Sequence, residues 1–138
     1  REKGYRSGLS PFSRETPLKV PTKLKVTNSQ GRVLADRADI ADTSPKRRTG
    51  LLKHTRLEPG EGLWIAPTEG IHTFGMKFPI DVAFLSRNKK VLKIRANMVR
   101  GRIALSLRAH SVLELPAGTL EATGTVAGET LVFEKYEA

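Results

Sequence analysis

The stretch HTFGMKFPIDVAFL, residues 72–85, decides how this chain is read. Apolar and polar side chains alternate on both sides of one proline, which is strand spacing rather than helix spacing. The pattern predicts one strand over residues 71–78 and another over residues 80–87. Pro79 breaks or bulges the ladder between them, because it has no N–H to donate. In the first strand His72, Phe74, Met76 and Phe78 share one face, while Thr73, Gly75 and Lys77 share the other. In the second, Ile80, Val82 and Phe84 alternate with Asp81, Ala83 and Leu85. The aromatic and Met positions mark the core side and place His72 at its rim. Asp81 falls among apolar neighbours, where an unpaired carboxylate is costly. Its expected partners are Lys77, an arginine or free backbone N–H groups beside Pro79. Gly75, in mid-strand, marks a bulge or a close backbone approach.

Working outward, residues 88–90 (Asn-Lys-Lys) form a hairpin turn, and residues 91–99 return as a strand. There Leu92, Ile94, Ala96 and Met98 face one way, with Lys93, Arg95 and Asn97 on the other side. Residues 111–115 (SVLEL) are a strand, and Pro116-Ala117-Gly118 turns the chain into a short helix ending near Gly124. Residues 130–136 (TLVFEKY) form the last strand. On the N-terminal side, residues 22–27 and 32–41 form a hairpin across the turn Asn28-Ser29-Gln30-Gly31. Residues 43–50 are a polar loop, residues 51–55 one or two helical turns, and residues 62–66 a short apolar strand ended by Pro67. The sum is about seven or eight short strands and two short helices. The expected fold is mainly β (α+β), with a compact, barrel-like sheet that is closed or nearly so.

With 138 residues the chain has the length of one ordinary domain. Residues 1–21 hold three Pro and two Gly and few large apolar groups. They read as a flexible basic tail, with a single β-rich domain over residues 22–138. The tail has no apolar run of the kind a signal peptide needs, and no apolar run in the chain is long enough for a membrane span. The absence of cysteine excludes disulfides, thiol nucleophiles and Cys-based metal sites. It fits a reducing compartment, so the expected location is cytoplasmic.

The charge is strongly basic, +10 with a sequence pI near 10.3. Residues 1–23 hold six basic and two acidic residues. Farther on, Arg87, Lys89, Lys90, Lys93, Arg95, Arg100, Arg102 and Arg108 follow one another with no acid between them. Such a run is a candidate binding surface for a polyanion such as nucleic acid, or for an acidic surface. It also serves as a plain solubilising face. No aromatic residue interleaves with it, which argues against a platform that stacks single-stranded bases.

The remaining chemistry is sparse. His110 and Glu114 share strand parity with Val112 and lie a short way apart, so they are candidates to join His72 at one site. The histidines His54, His72 and His110 have no metal-ligand spacing, so no metal and no cofactor is expected. There is no nucleophile elbow and no glycine-rich phosphate loop.

Four segments taken together resemble a known family: Gly50-Leu51-Leu52, Glu61-Gly62-Leu63-Trp64-Ile65, residues 72–85, and Ser111-Val112-Leu113-Glu114-Leu115-Pro116-Ala117-Gly118-Thr119. The chain is similar over residues 45–135 to the domain of unknown function number 192, a family of small prokaryotic proteins. The resemblance rests on Phe74, Met76, Lys77, Pro79, Asp81, Glu114, Pro116 and Gly118. It implies a compact β-rich barrel with small helices at its side, and no established activity. Where the family pattern has Val-Gly-Asp before the last strand, this chain has Val126-Ala127-Gly128-Glu129.

Three functional readings follow. The first is a non-catalytic domain that binds a small molecule or a protein at His72, Phe74, Met76, Lys77, Asp81, His110 and Glu114. The second is nucleic-acid or polyanion binding through the basic run and the tail. The third is a small hydrolase-like enzyme in which His72 is the base and Asp81 orients it, a pairing that needs hydrogen-bond reach.

Overall fold

The computed structural model describes residues 21–138. The basic tail expected over residues 1–21 lies outside the described residues, Pro21 apart. The elements follow in the order β1 (Thr22–Thr27), β2 (Val33–Ala41), α1 (Ser44–Thr49), β3 (Glu61–Ile65), β4 (Gly70–His72), β5 (Ile80–Leu85), β6 (Val91–Met98), β7 (Ile103–Leu105), β8 (Ser111–Pro116), α2 (Thr119–Thr123) and β9 (Val132–Glu137).

The strands form a seven-stranded sheet in the order β6-β5-β8-β3-β2-β1-β9 and a separate two-stranded ribbon of β4 and β7. The fold is mainly β, as the alternation predicts. The sheet does not close into a barrel, which corrects that part of the expectation. Its two edge strands, β6 and β9, do not pair with each other; the chain ahead of each meets at one corner, through a bridge between Lys90 and Thr130 and backbone hydrogen bonds of Lys89 and Val91 with residues 128–131. The expected hairpin of β1 and β2 forms. The β2–β3 pair is parallel, which places β3 beside β8 in the middle of the sheet.

β5 lies between β6 and β8, and all six of its residues are buried. Both faces of the sheet are therefore covered there. On one face Leu24, Val26, Ala38, Ala83, Leu85, Leu113 and Leu115 pack with Leu120 of α2. On the other, Leu63, Ile65, Ile80, Val82, Phe84 and Val112 pack with Met76, Ala104 and Leu51. The first cluster unites strands from near both ends of the sheet, so the sheet curls around it. The second is roofed by the β4–β7 ribbon and the segment after α1.

The strand expected over residues 71–78 is corrected: β4 stops at His72, and residues 73–78 turn. Gly75 has φ +81°, a left-handed conformation that ends an extended run. Thr73 fixes the turn from within the core: its Oγ1 donates to the Val99 carbonyl at 2.6 Å and accepts from the Arg102 N–H at 2.8 Å. His72, Phe74, Met76 and Phe78 therefore do not share one face.

β6 also departs from simple alternation. Its register against β5 shifts twice, between the pairs Leu85↔Val91 and Phe84↔Lys93, and again between Val82↔Arg95 and Ile80↔Met98. Each bulge adds a residue and swaps the faces. Leu92 and Ile94, expected on one side, pack against opposite clusters. At the second bulge Asn97 has φ +50°.

The polar loop expected over residues 43–50 is instead helix α1. Thr43 caps it, accepting from the Lys46 N–H, and a proline stands in its first turn. The helical turns expected at residues 51–55 are non-helical turns that follow it. α2 ends at Gly124 as expected. Asn28 docks α2's end onto the β1–β2 turn, donating to the Thr123 carbonyl at 2.9 Å and to Thr125 Oγ1 at 3.1 Å.

Candidate functional site

The residues of the motif block divide between two places. The first is a lock built on Asp81. It is fully buried on the α2 side of the sheet. One carboxylate oxygen accepts from the Asn97 N–H at 2.8 Å, and the other from the Gly118 and Leu120 N–H groups at 3.1 and 2.9 Å. The donors are thus backbone groups, freed by the β6 bulge and by the start of α2. None comes from beside Pro79, and among the described residues neither Lys77 nor an arginine takes part. Pro116 ends β8, and Gly118, at φ +93°, turns the chain into α2. Asp81, Pro116 and Gly118 thereby hold β5, the β6 bulge and α2 together.

The second place is a cavity of about 260 Å³ on the opposite face of the sheet. Its floor is Glu114 of β8. Its walls include Ile65, Ile71 and Met76, and α1 lines its rim with Arg47 and Arg48. Thr68 and His72 complete the opposite side. Glu114 retains only 5% of its exposure, and among the described residues no hydrogen bond or ion pair engages its carboxyl. Burial pushes that carboxyl up to about 8. At neutral pH it is held mostly as the acid, able both to donate and to accept a hydrogen bond.

Other buried polar side chains have been satisfied or do not face a cavity. Asn28, Thr73, Asp81 and Thr125 are hydrogen-bonded. Among the described residues, Ser111 Oγ, His110 Nδ1 and Trp64 Nε1 are buried without a partner, and none of these residues lines the cavity. A larger groove, of about 770 Å³, runs between α1 and the β2 edge, and includes Asp39, Lys46 and His54. It contains no buried polar group, and its Asp39 is already paired with Lys23.

Of the residues singled out in the sequence, His72, Met76 and Glu114 meet at the cavity. Phe74 is half exposed and stacks on His72 with ring centroids 5.3 Å apart. Lys77 is exposed and donates to the Leu52 carbonyl at 3.3 Å. Asp81 lies on the other face of the sheet, hydrogen-bonded to backbone donors and not to His72. His110 shares Glu114's parity but stands outside the cavity. Burial, with Arg87 and Lys89 nearby, lowers its pKa, so its ring is neutral at neutral pH. Arg47, Arg48 and Thr68 were not singled out. The available signal was Thr43-Ser44-Pro45, a helix-start pattern ahead of three consecutive basic residues.

The basic run is divided as well. Lys89 lies over the Trp64 and Phe133 rings, at 5.1 and 5.2 Å, on one side of the sheet. Lys93 lies over Phe84, at 5.7 Å, on the other. Arg100 and Arg102 stand in the β6–β7 turn and Arg108 in the β7–β8 turn, all exposed. Arg87 and Lys90 flank the β5–β6 turn, and Arg95 is half-buried on β6.

The fold and cavity define a small domain with a curled, mainly antiparallel sheet and an acid-floored pocket on one face. The chain belongs to the DUF192 family, described as an uncharacterized ACR, whose model matches residues 25–133. No curated protein matches the sequence. A crystal structure of a protein of unknown function from Novosphingobium aromaticivorans is 26% identical, with a TM-score of 0.69 over 79% of this chain and 82% of that one. A candidate transcription regulator from Sinorhizobium meliloti is 21% identical, with a TM-score of 0.73 over 86% of this chain and 98% of that one. The second likeness is one of fold alone. Among the described residues, no helix is long and apolar enough to cross a membrane.

Proposed function

We propose that this protein is a non-catalytic binding domain whose ligand is a small organic anion seated on Glu114. One observation carries the reading: a buried carboxyl, without a partner among the described residues, faces a cavity. A polar group left unpaired in such a place costs stability, and a ligand that hydrogen-bonds to it recovers that cost. The rest of the cavity narrows the ligand. Arg47 and Arg48 give the rim a positive field, and α1 has no acid in its first turn to offset it. Arg47 is anchored by the Asp42 and Ala66 carbonyls at 3.1 and 3.4 Å, so one cation stands in a fixed place. Ile65, Ile71 and Met76 supply apolar walls. The fitting ligand has a carboxylate or phosphate at the rim, a short apolar middle, and a hydroxyl or carbonyl at the floor. At about 260 Å³ the cavity is slightly below the range of drug-sized pockets, which points to a small metabolite rather than a polymer.

The other two readings draw less support. A His72–Asp81 pair is not assembled, since Asp81 is hydrogen-bonded on the far face of the sheet. The basic run is split between the two sides of the sheet, which weakens a continuous polyanion track.

The test is a thermal-shift screen of the full chain against small hydroxy and keto acids and phosphate esters, followed by calorimetry. A ligand at a hundred times its Kd stabilises the protein by about 2.7 kcal/mol. The reading expects a hit whose affinity falls at least roughly tenfold in Glu114→Leu and in Arg48→Glu, about 1.4 kcal/mol each. No hit across the panel, or hits indifferent to both substitutions, would contradict it.

A further inference from the structure

A second surface adjoins the cavity at Gly70 and His72 and extends away from it. The β4–β7 ribbon pairs His72 with Ile103 and Gly70 with Leu105. Ile71 and Ala104 point inward to the core, so His72, Ile103 and Leu105 share the outward face. Gly70 keeps that face flat: a Cβ there would stand 2.4 Å from a Leu105 methyl. Phe74 extends the face by stacking on His72. Phe74, Ile103, Leu105 and Leu107 are 50%, 58%, 56% and 79% exposed. Val99, also exposed, is brought close by its hydrogen bond to Thr73. An apolar group of this kind on one small ribbon and the turns that flank it marks an interaction surface rather than scattered exposure.

Its charged surroundings identify the occupant. Arg100 and Arg102 emerge from the turn that leads into β7, Arg108 from the turn that leaves it, and Lys93 reaches the Leu105 carbonyl at 2.8 Å. Residues 70–113 contain one acid besides them, Asp81, which is buried on the other face. Glu69, beside β4, is the adjoining exposed acid. Apolar side chains flanked by arginines suit a bilayer interface, where the former enter the acyl boundary and the latter meet lipid phosphates. A nucleic-acid surface would use the arginines and leave Ile103, Leu105 and Leu107 in water.

We infer that the outward face of the β4–β7 ribbon is a peripheral docking surface for anionic lipid membranes. The inference is independent of the ligand proposed for the Glu114 cavity. It is tested by sedimenting the full chain with phosphatidylcholine vesicles and with vesicles in which phosphatidylglycerol replaces a third of that lipid. The parent protein is expected to sediment with the anionic vesicles alone. Ile103→Ser with Leu107→Ser, and separately Arg100→Glu with Arg102→Glu, are each expected to lower the partition coefficient by roughly tenfold or more. All four positions are exposed, and an unchanged melting temperature verifies that the variants fold. Residues 1–20 carry basic charge of their own, so the apolar pair is the decisive arm. No sedimentation with anionic vesicles, or sedimentation untouched by the apolar substitutions, overturns the inference. So does a DNA or RNA duplex that displaces the vesicles and binds the apolar variant as well as the parent.

Discussion

Gly118 donates its backbone N–H to the Asp81 carboxylate at 3.1 Å, across 37 positions of chain. The contact joins β5, the strand next to the β6 edge of the sheet, to the start of α2. With Leu120 and Asn97 donating to the same side chain, one buried carboxylate satisfies three backbone groups that regular structure leaves free. Asp81 is therefore a structural residue of the motif block.

Asp81→Asn is expected to destabilise the protein by about 3 kcal/mol, because the amide presents an NH2 to an N–H donor and gives up the charge on the remaining bonds. Urea denaturation measures it, as a lowered midpoint with an unchanged slope. A loss under about 1 kcal/mol would mean that the three donors find other partners.

Gly118→Ala isolates the backbone part of the same lock. Nothing lies within 4 Å of where a Cβ would stand, yet φ is +93°. The cost is then conformational, about 1–2 kcal/mol. The same denaturation series at Gly118 reports it, and a neutral substitution would show that the turn relaxes freely.

Much of this was legible in the sequence. The alternation around Pro79 located β5, the Asn28 turn located the first hairpin, and Pro116-Ala117-Gly118 located the start of α2. The failures have physical causes. Residues 73–78 alternate like a strand, but Gly75 in a left-handed conformation and the buried Thr73 turn them. On β6, two bulges exchange the faces after register has been assigned by parity. α1 was obscured because its cap and proline precede a run of charge that resembles a solvated loop. Glu114 was visible as a candidate, but the arginines at the rim of its cavity were not, since α1 reaches the cavity only through the tertiary fold. The division of the motif block between a lock and a pocket depends on which face each residue takes, and that depends on the turn at Gly75.

Glu114 also makes stability depend on pH. Its folded value of about 8 lies above the ordinary 4.5. The folded state therefore binds more protons than the unfolded state between those values, and stability falls as pH rises through that window. The melting temperature is expected to drop between pH 5 and pH 8 by roughly 5 °C or more. Glu114→Gln removes the titration and should flatten this part of the profile. A parent profile equally flat over the window would contradict the account.

The most direct measurement is a carbon-detected NMR titration of the Glu114 side-chain carboxyl, assigned by comparison with Glu114→Gln. The account predicts a midpoint near 8 without ligand and a displaced midpoint when a small anion fills the cavity. A midpoint in the ordinary glutamate range, near 4.5, would mean that the carboxyl is solvated or paired. The pocket floor would then be an ordinary surface acid, and the binding site proposed on it would fall.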